Sequence, residues 1–197
     1  NLRPGPSEYP RPDCPQRPAS ACPRAVNPGV THRYYTGNAV LPFGYGLSYT
    51  NFSYSIASAP AGPMSLGPLR EMLRLTQLAN RTFVARDLRG AAARLQFQVN
   101  VTNVGLVDSD DVVLGFMKPP GAGVGGVPLQ QLFGFERIHV KAGESVLVTI
   151  YPEMHDFSQV GKHGQRRELT GEYNFIFGVK ETISSGGGYV EHSFTAI

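Results

Sequence analysis

Leu41-Pro42-Phe43-Gly44-Tyr45-Gly46-Leu47-Ser48-Tyr49-Thr50 places four large side chains, Phe43, Tyr45, Leu47 and Tyr49, at every second position. An extended backbone sends alternate side chains to one face, so the spacing predicts an apolar stripe aimed at a surface. Gly44 and Gly46 fall between them, where a side chain would block close backbone approach or oppose a positive φ. The stretch reads either as a docking strand or as an ordinary aromatic-rich strand, running on to about residue 58. Along that continuation Phe52, Tyr54 and Ile56 point opposite to Asn51 and Ser53.

Downstream the alternation repeats. Leu95, Phe97, Val99 and Val101 alternate with Gln96, Gln98, Asn100 and Thr102, giving one greasy and one wet face. Val112 to Met117 is apolar on both faces, as expected of a central strand. Leu132 to Val140 is the next strand. Glu144, Val146, Val148 and Ile150 alternate after an Ala142-Gly143 turn, Tyr173, Phe175, Phe177 and Val179 form the cleanest stripe, and Tyr189 to Ala196 closes the chain. Strands parted by Gly-rich turns, without intervening helices, predict an all-β, antiparallel sandwich. Residues 59–68 read as a Gly/Pro loop, and Leu69 to Ala79 as a short helix or an irregular insertion, with Leu69, Met72, Leu73 and Thr76 on one helical face.

The 197 residues suffice for one or two domains with a substantial core. Charged residues are 17% of the chain, too few for disorder driven by self-repulsion, and Gly 23 with Pro 16 suits many turns. The net charge is +3, but Lys and Arg are scattered and the longest basic run is Arg166-Arg167, so no nucleic-acid stripe is present. No run of 18 apolar residues occurs, so no membrane span is expected. The chain begins at Asn1 without an initiator Met or signal peptide, which reads as processing or as part of a longer chain.

Cys14 and Cys22 lie in a segment with eight of the sixteen prolines, where a disulfide would pin a loop lacking a hydrophobic pattern; the alternative is two free thiols. Asn51-Phe52-Ser53, Asn80-Arg81-Thr82 and Asn100-Val101-Thr102 are N-glycosylation sequons and point to secretion, which would favour the disulfide. Asn100 and Thr102 share the wet face of their strand.

Several motifs are formal matches only. Gly121-Ala122-Gly123-Val124-Gly125-Gly126 satisfies G-x-G-x-x-G, yet prolines flank it on both sides, so it reads as a hairpin loop and not as a dinucleotide site. Asp108-Ser109-Asp110-Asp111 lacks the remaining ligands of a calcium loop and reads as a solvated turn. His32, His139, His155, His163 and His192 form no metal-binding or nucleophile-activating motif, and no Gly-x-Ser-x-Gly elbow surrounds Ser48. No metal or cofactor is expected.

Pro42 to Thr50, with Asn51-Phe52, resembles the PFGYGLSYTxF signature of glycoside hydrolase family 3. Upstream, Asn27-Pro28-Gly29-Val30-Thr31-His32-Arg33-Tyr34-Tyr35-Thr36-Gly37 resembles the PGRTYRFYTG run of its β-xylosidase-like branch, with Val30 and His32 in place of Arg and Tyr. Val101-Thr102-Asn103-Val104-Gly105, Gln131 to Arg137, Lys141 to Ser145 and Gly171-Glu172-Tyr173 resemble later segments in the same order. The resemblance implies an immunoglobulin/fibronectin type III-like β-sandwich over 41–197, preceded by a Pro-rich irregular tail of an α/β sandwich domain over 1–40. It further implies that the nucleophilic Asp and acid/base Glu of the family lie in earlier domains, so no catalytic residue is expected here. The expected role is a brace for the catalytic domains of a secreted exo-acting glycosidase, docked through Phe43, Tyr45, Leu47 and Tyr49. Arg33, Tyr34 and Tyr35 suit either packing against that neighbour or contact with an oligosaccharide. The rival readings are a free-standing carbohydrate- or protein-binding module and a structural adhesion-type domain.

Overall fold

A computed structural model describes residues 5–10, 24–79, 95–161, 163–179 and 188–197. Two short strands, β1 (Gly5–Pro10) and β2 (Arg24–Asn27), pair antiparallel where the Pro-rich tail was expected to be wholly irregular. A four-residue helical turn follows, α1 (Thr31–Tyr34), and then irregular chain to residue 51.

The body is two antiparallel sheets. One has the order β3 (Phe52–Ser58), β4 (Phe97–Asn103), β7 (Ser145–Ile150). The other runs β11 (Tyr189–Ala196), β10 (Gly171–Gly178), β5 (Ser109–Lys118), β6 (Gln131–Val140). A small hairpin, β8 (Ser158–Val160) with β9 (Arg166–Glu168), lies between β7 and β10 in sequence. This four-plus-three arrangement is the expected antiparallel sandwich.

The alternating residues form its interior. Phe97, Val99 and Val101 of β4 meet Tyr173, Phe175 and Phe177 of β10, all buried. The Phe97 ring lies 4.5 Å from that of Phe175 and 5.3 Å from that of Phe177. Each such ring contributes about 1.5–3 kcal/mol through burial alone. Tyr173 donates its hydroxyl to Leu169 O at 2.6 Å, tying β10 to the turn before it. That bond resembles the corner tyrosine of immunoglobulin-like sandwiches, and burial pushes the phenol pKa up.

Of the two readings of Leu69 to Ala79 the helix holds: α2 (Gly67–Leu78) stands between β3 and β4. It forms because Leu69 and Leu73 share a buried face, with Met72 and Thr76 half-buried beside them. The segment just before it pairs with the outer edge of β11, through Met64 N to Thr195 O at 3.0 Å and Ile197 N to Met64 O at 2.8 Å. This covers an edge that would otherwise present unpaired backbone groups.

The expectation for Phe43 to Tyr49 changes. Residues 41–51 are not a strand, and β3 starts only at Phe52. Gly44 takes φ +87° and Tyr45 N donates to Pro42 O at 3.1 Å, closing a turn. A turn inside the run breaks period-two alternation, so the four side chains do not share one face.

Candidate functional site

β5 is apolar on both sides, as its sequence suggests, and the outer side is where residues 28–51 lie. Phe116 points away from the sandwich interior yet is only 3% exposed. Phe43 packs edge-on to it with centroids 6.1 Å apart, and His32 does so at 5.8 Å. His32 and Phe43 stack on each other at 4.3 Å. The irregular segment is therefore a strap across the outer face of the four-stranded sheet.

Close approach requires glycine at one position. A Cβ on Gly44 would overlap Leu114 Cδ1 and sit 3.1 Å from Val179 Cγ2, besides straining a positive φ. Gly46 has neither constraint: its φ is ordinary and nothing lies near an added Cβ. Only one of the two glycines singled out by the sequence is thus demanded by the fold.

Hydrogen bonds fasten both ends of the strap. At the α1 end, Leu129 N donates to Arg33 O at 2.7 Å, while Thr36 N donates to Pro28 O at 2.8 Å within the strap itself. Thr31 begins α1 at φ +66°, a conformation costly for a β-branched residue that the surrounding bonds must hold. At the β3 end the fastening is Asn103, fully buried at the end of β4. Its Oδ1 accepts from Thr50 Oγ1 at 2.5 Å and from Gly105 N at 3.0 Å. Its Nδ2 donates to Val107 O at 2.8 Å and Val140 O at 3.0 Å. Val104 N donates to Asn51 O at 2.8 Å alongside. One side chain thus joins the strap, the β4–β5 loop and the end of β6. Asn103 lies in the segment Val101 to Gly105, where only an Asn at a strand end followed by Val-Gly hints at this junction.

The four expected docking residues separate. Phe43 is half-exposed and packed on the strap's own sheet, and Tyr45 is half-buried. Leu47 and Tyr49 are 86% and 95% exposed, and Val40 and Leu41, earlier in the strap, are exposed as well. The β4–β5 loop, bonded to Asn51, adds exposed Val104, Leu106 and Val107.

Tyr45 lines a cleft of about 280 Å3 with Tyr54, Asp111 and Arg137. Tyr54 donates to Asp111 Oδ2 at 2.6 Å, and burial, followed by the Asp111 charge, pushes the phenol far up. The acidic run read as a solvated turn instead opens β5, with Ser109, Asp110 and Asp111 paired to β6, and its carboxylates are committed to structure. Asp108 Oδ1 accepts from Ala142 N at 2.8 Å, while Asp110 binds His139 at 2.8 Å and Arg137 at 2.7 Å. Hydrogen bonds from His139 and then Arg137 hold the Asp110 carboxyl below its usual range. Among the described residues no three His, Cys, Asp or Glu gather at metal-binding range.

Asn51 is exposed at the start of β3, and Asn100 is half-buried on β4 between Ser55 and Leu147 of the flanking strands. Asn80, Cys14 and Cys22 lie outside the described residues.

Residues 111–180 match the family described as Fibronectin type III-like domain. The chain is 34% identical over 163 residues to Beta-D-xylosidase 1 of Arabidopsis thaliana, covering 79% of this chain and 21% of that protein. It is 28% identical over 164 residues to Exo-1,4-beta-xylosidase xlnD of Aspergillus niger, covering 82% and 19%. Among solved structures, the GH3 exo-beta-xylosidase XlnD in complex with a xylobiose aziridine probe superposes with TM-score 0.65 and 23% identity, covering 100% of this chain and 21% of that one. A β-glucosidase from Listeria innocua in complex with laminaribiose gives 0.58 and 20%, covering 96% and 21%. The chain spans about a fifth of the length of the curated relatives it matches. With the ordered motifs, the sandwich topology and these matches together, the chain belongs to glycoside hydrolase family 3 and carries its C-terminal fibronectin type III-like domain.

Proposed function

We propose that this domain braces the catalytic domains of a secreted, exo-acting, β-xylosidase-like enzyme and contributes no catalytic carboxylate. The observation that carries the reading is the strap. It is bonded to the sandwich through Arg33 O and the Thr50 hydroxyl and lies close against Leu114 at Gly44, while Val40, Leu41, Leu47 and Tyr49 are exposed. Exposed apolar side chains on chain that is tied to the sandwich at both ends are a suitable footing for a neighbouring domain. Fixing that neighbour's orientation matters because a small misplacement at an active site is expensive in rate. The whole enzyme would release terminal sugars with retention, through a covalent glycosyl-enzyme intermediate.

In this proposal residues 1–40 belong to the tail of the preceding domain and 41–197 to the sandwich. Secretion is supported by the sequons at Asn51, Asn80 and Asn100; a mass loss on treating the secreted protein with peptide N-glycosidase is the expected result. The brace itself is tested with an aryl xyloside. The isolated chain should fold and show no turnover, whereas turnover abolished by replacing one of its own carboxylates would refute the reading.

A further inference from the structure

The two sheets differ in charge. β3, β4 and β7 hold no Asp, Glu, Lys, Arg or His, whereas every strand of the other sheet carries at least one. Charged side chains, lysine above all, are a usual means by which a sheet resists pairing with a second molecule, and β7 is an outer strand of its sheet. The outward positions here are small and polar instead. Ser53 and Ser55 of β3, Thr102 of β4 and Ser145 of β7 surround Asn100, and Leu147 beside it is 54% exposed. Something other than charge must keep this face apart from other molecules.

Asn100 stands at the centre of the face. β4 is the middle strand, and Asn100 pairs with Ser55 on one side and Leu147 on the other. Alternation puts Thr102 on the same side, so both residues that define the sequon Asn100-Val101-Thr102 point outward, while Val99 and Val101 are fully buried. A second sequon meets it there. Ser53, the hydroxyl residue of Asn51-Phe52-Ser53, lies directly opposite Thr102 in the β3–β4 register. Two sequons far apart in the chain thus open on one face, and it is the face without charge. The strap lies on the other side of the sandwich, over β5.

We propose that Asn100 carries an N-linked oligosaccharide that covers the outer face of the β3–β4–β7 sheet and keeps it turned to water. The inference rests on the secretion reading above, since the transfer takes place in the secretory pathway. The donor is an oligosaccharide diphosphate ester. Asn100 Nδ2 forms a bond to the anomeric carbon, the bond from that carbon to the diphosphate oxygen breaks, the diphosphate leaves with the electron pair, and Nδ2 gives up one proton. On the folded domain the sugar hydroxyls can bond to the serine and threonine groups around the linkage, and an apolar sugar C–H face can lie on Leu147. A bulky hydrated chain there supplies the solubility that charge supplies elsewhere. It also orients the domain: with this face occupied by sugar, a neighbouring domain is left the strap side.

The test is to secrete the 197-residue chain from insect cells behind a signal peptide and to map its glycopeptides by mass spectrometry. Forced secretion makes the outcome independent of where the protein naturally resides, so an unmodified Asn100 overturns this proposal and leaves the secretion reading to its own test. A glycan on the Asn100 peptide is expected; Thr102→Ala should remove it and Thr102→Ser should retain it. Covering is read by hydroxyl-radical oxidation of Leu147, which should rise several-fold in Asn100→Gln relative to the glycosylated chain, with the oxidation of Tyr49 on the strap unchanged. Enzymatic removal of the glycan from the folded chain should give the same rise, which guards against a folding defect in the variant. Equal oxidation of Leu147 with and without the Asn100 glycan overturns the covering, whatever the state of Asn51 and Asn80.

Discussion

On its inner side β5 turns Val113 and Met117 into the sandwich, both fully buried, near the rings of Phe97, Phe175 and Phe177. On its outer side the same strand turns Leu114 and Phe116 toward the strap, where Phe116 is covered but the Phe43 ring above it is 50% exposed. The inner layer is closed by two sheets, each strand held by a ladder of backbone bonds. The outer layer is closed by irregular chain held at a few points, chiefly Arg33, Gly44 and Asn103. The same apolar strand can therefore belong to a core on one side and to a detachable contact on the other.

The largest expected effect comes from the inner layer. Phe97→Ala should cost about 3–5 kcal/mol, read as a lowered urea midpoint, or prevent folding. Asn103→Ala should cost about 2–3 kcal/mol, because it strands the Thr50 hydroxyl and the Val107 and Val140 carbonyls. Limited proteolysis should then cut near residues 48–51 first; equal cutting in wild type would blur the distinction between the two layers. Gly44→Ala should cost about 1–2 kcal/mol through the positive φ and the clash with Leu114, while Gly46→Ala stays within about 0.5 kcal/mol. Equal effects at the two glycines would break the account of the strap.

A smaller effect should follow pH. Burial, then the neighbouring Arg33 charge, lowers the His32 pKa from its ordinary 6.5. A base with a depressed folded pKa binds more protons unfolded, so its contribution is present above 6.5 and lost as pH falls through that value toward the folded one. Stability should drop over that window, and His32→Phe should remove that part of the drop. Smallest is Tyr49→Ser: within about 0.5 kcal/mol in this chain, since the ring is in water, but a lowered melting temperature in the longer enzyme if the brace reading holds.

Most of the sandwich was legible because period-two alternation survives wherever a strand has one buried face. Leu95 to Val101, Val146 to Ile150 and Tyr173 to Phe177 all lie where that pattern puts them. In the apolar run Val112 to Met117 the two-sided burial holds from Val113 onward, while Val112 is 42% exposed. The Phe43 to Tyr49 run carried the same spacing but not the same structure, because Gly44 turns the chain in its middle. The candidate site was less legible. Phe43 and Gly44 were singled out, but the Asn103 junction joins residues 50, 103, 107 and 140, and no local window contains them.

By itself the sequence determined an antiparallel sandwich, its strand faces and its family, because burial pattern and ordered motifs are written in neighbouring residues. Only the tertiary structure decided which side of the strap is bonded down, that Gly44 matters and Gly46 does not, and that Ser53 and Thr102 of two sequons stand opposite each other on one face. Those outcomes depend on contacts between residues far apart in the chain, which close approach, hydrogen-bond geometry and desolvation select only after the sheets have packed.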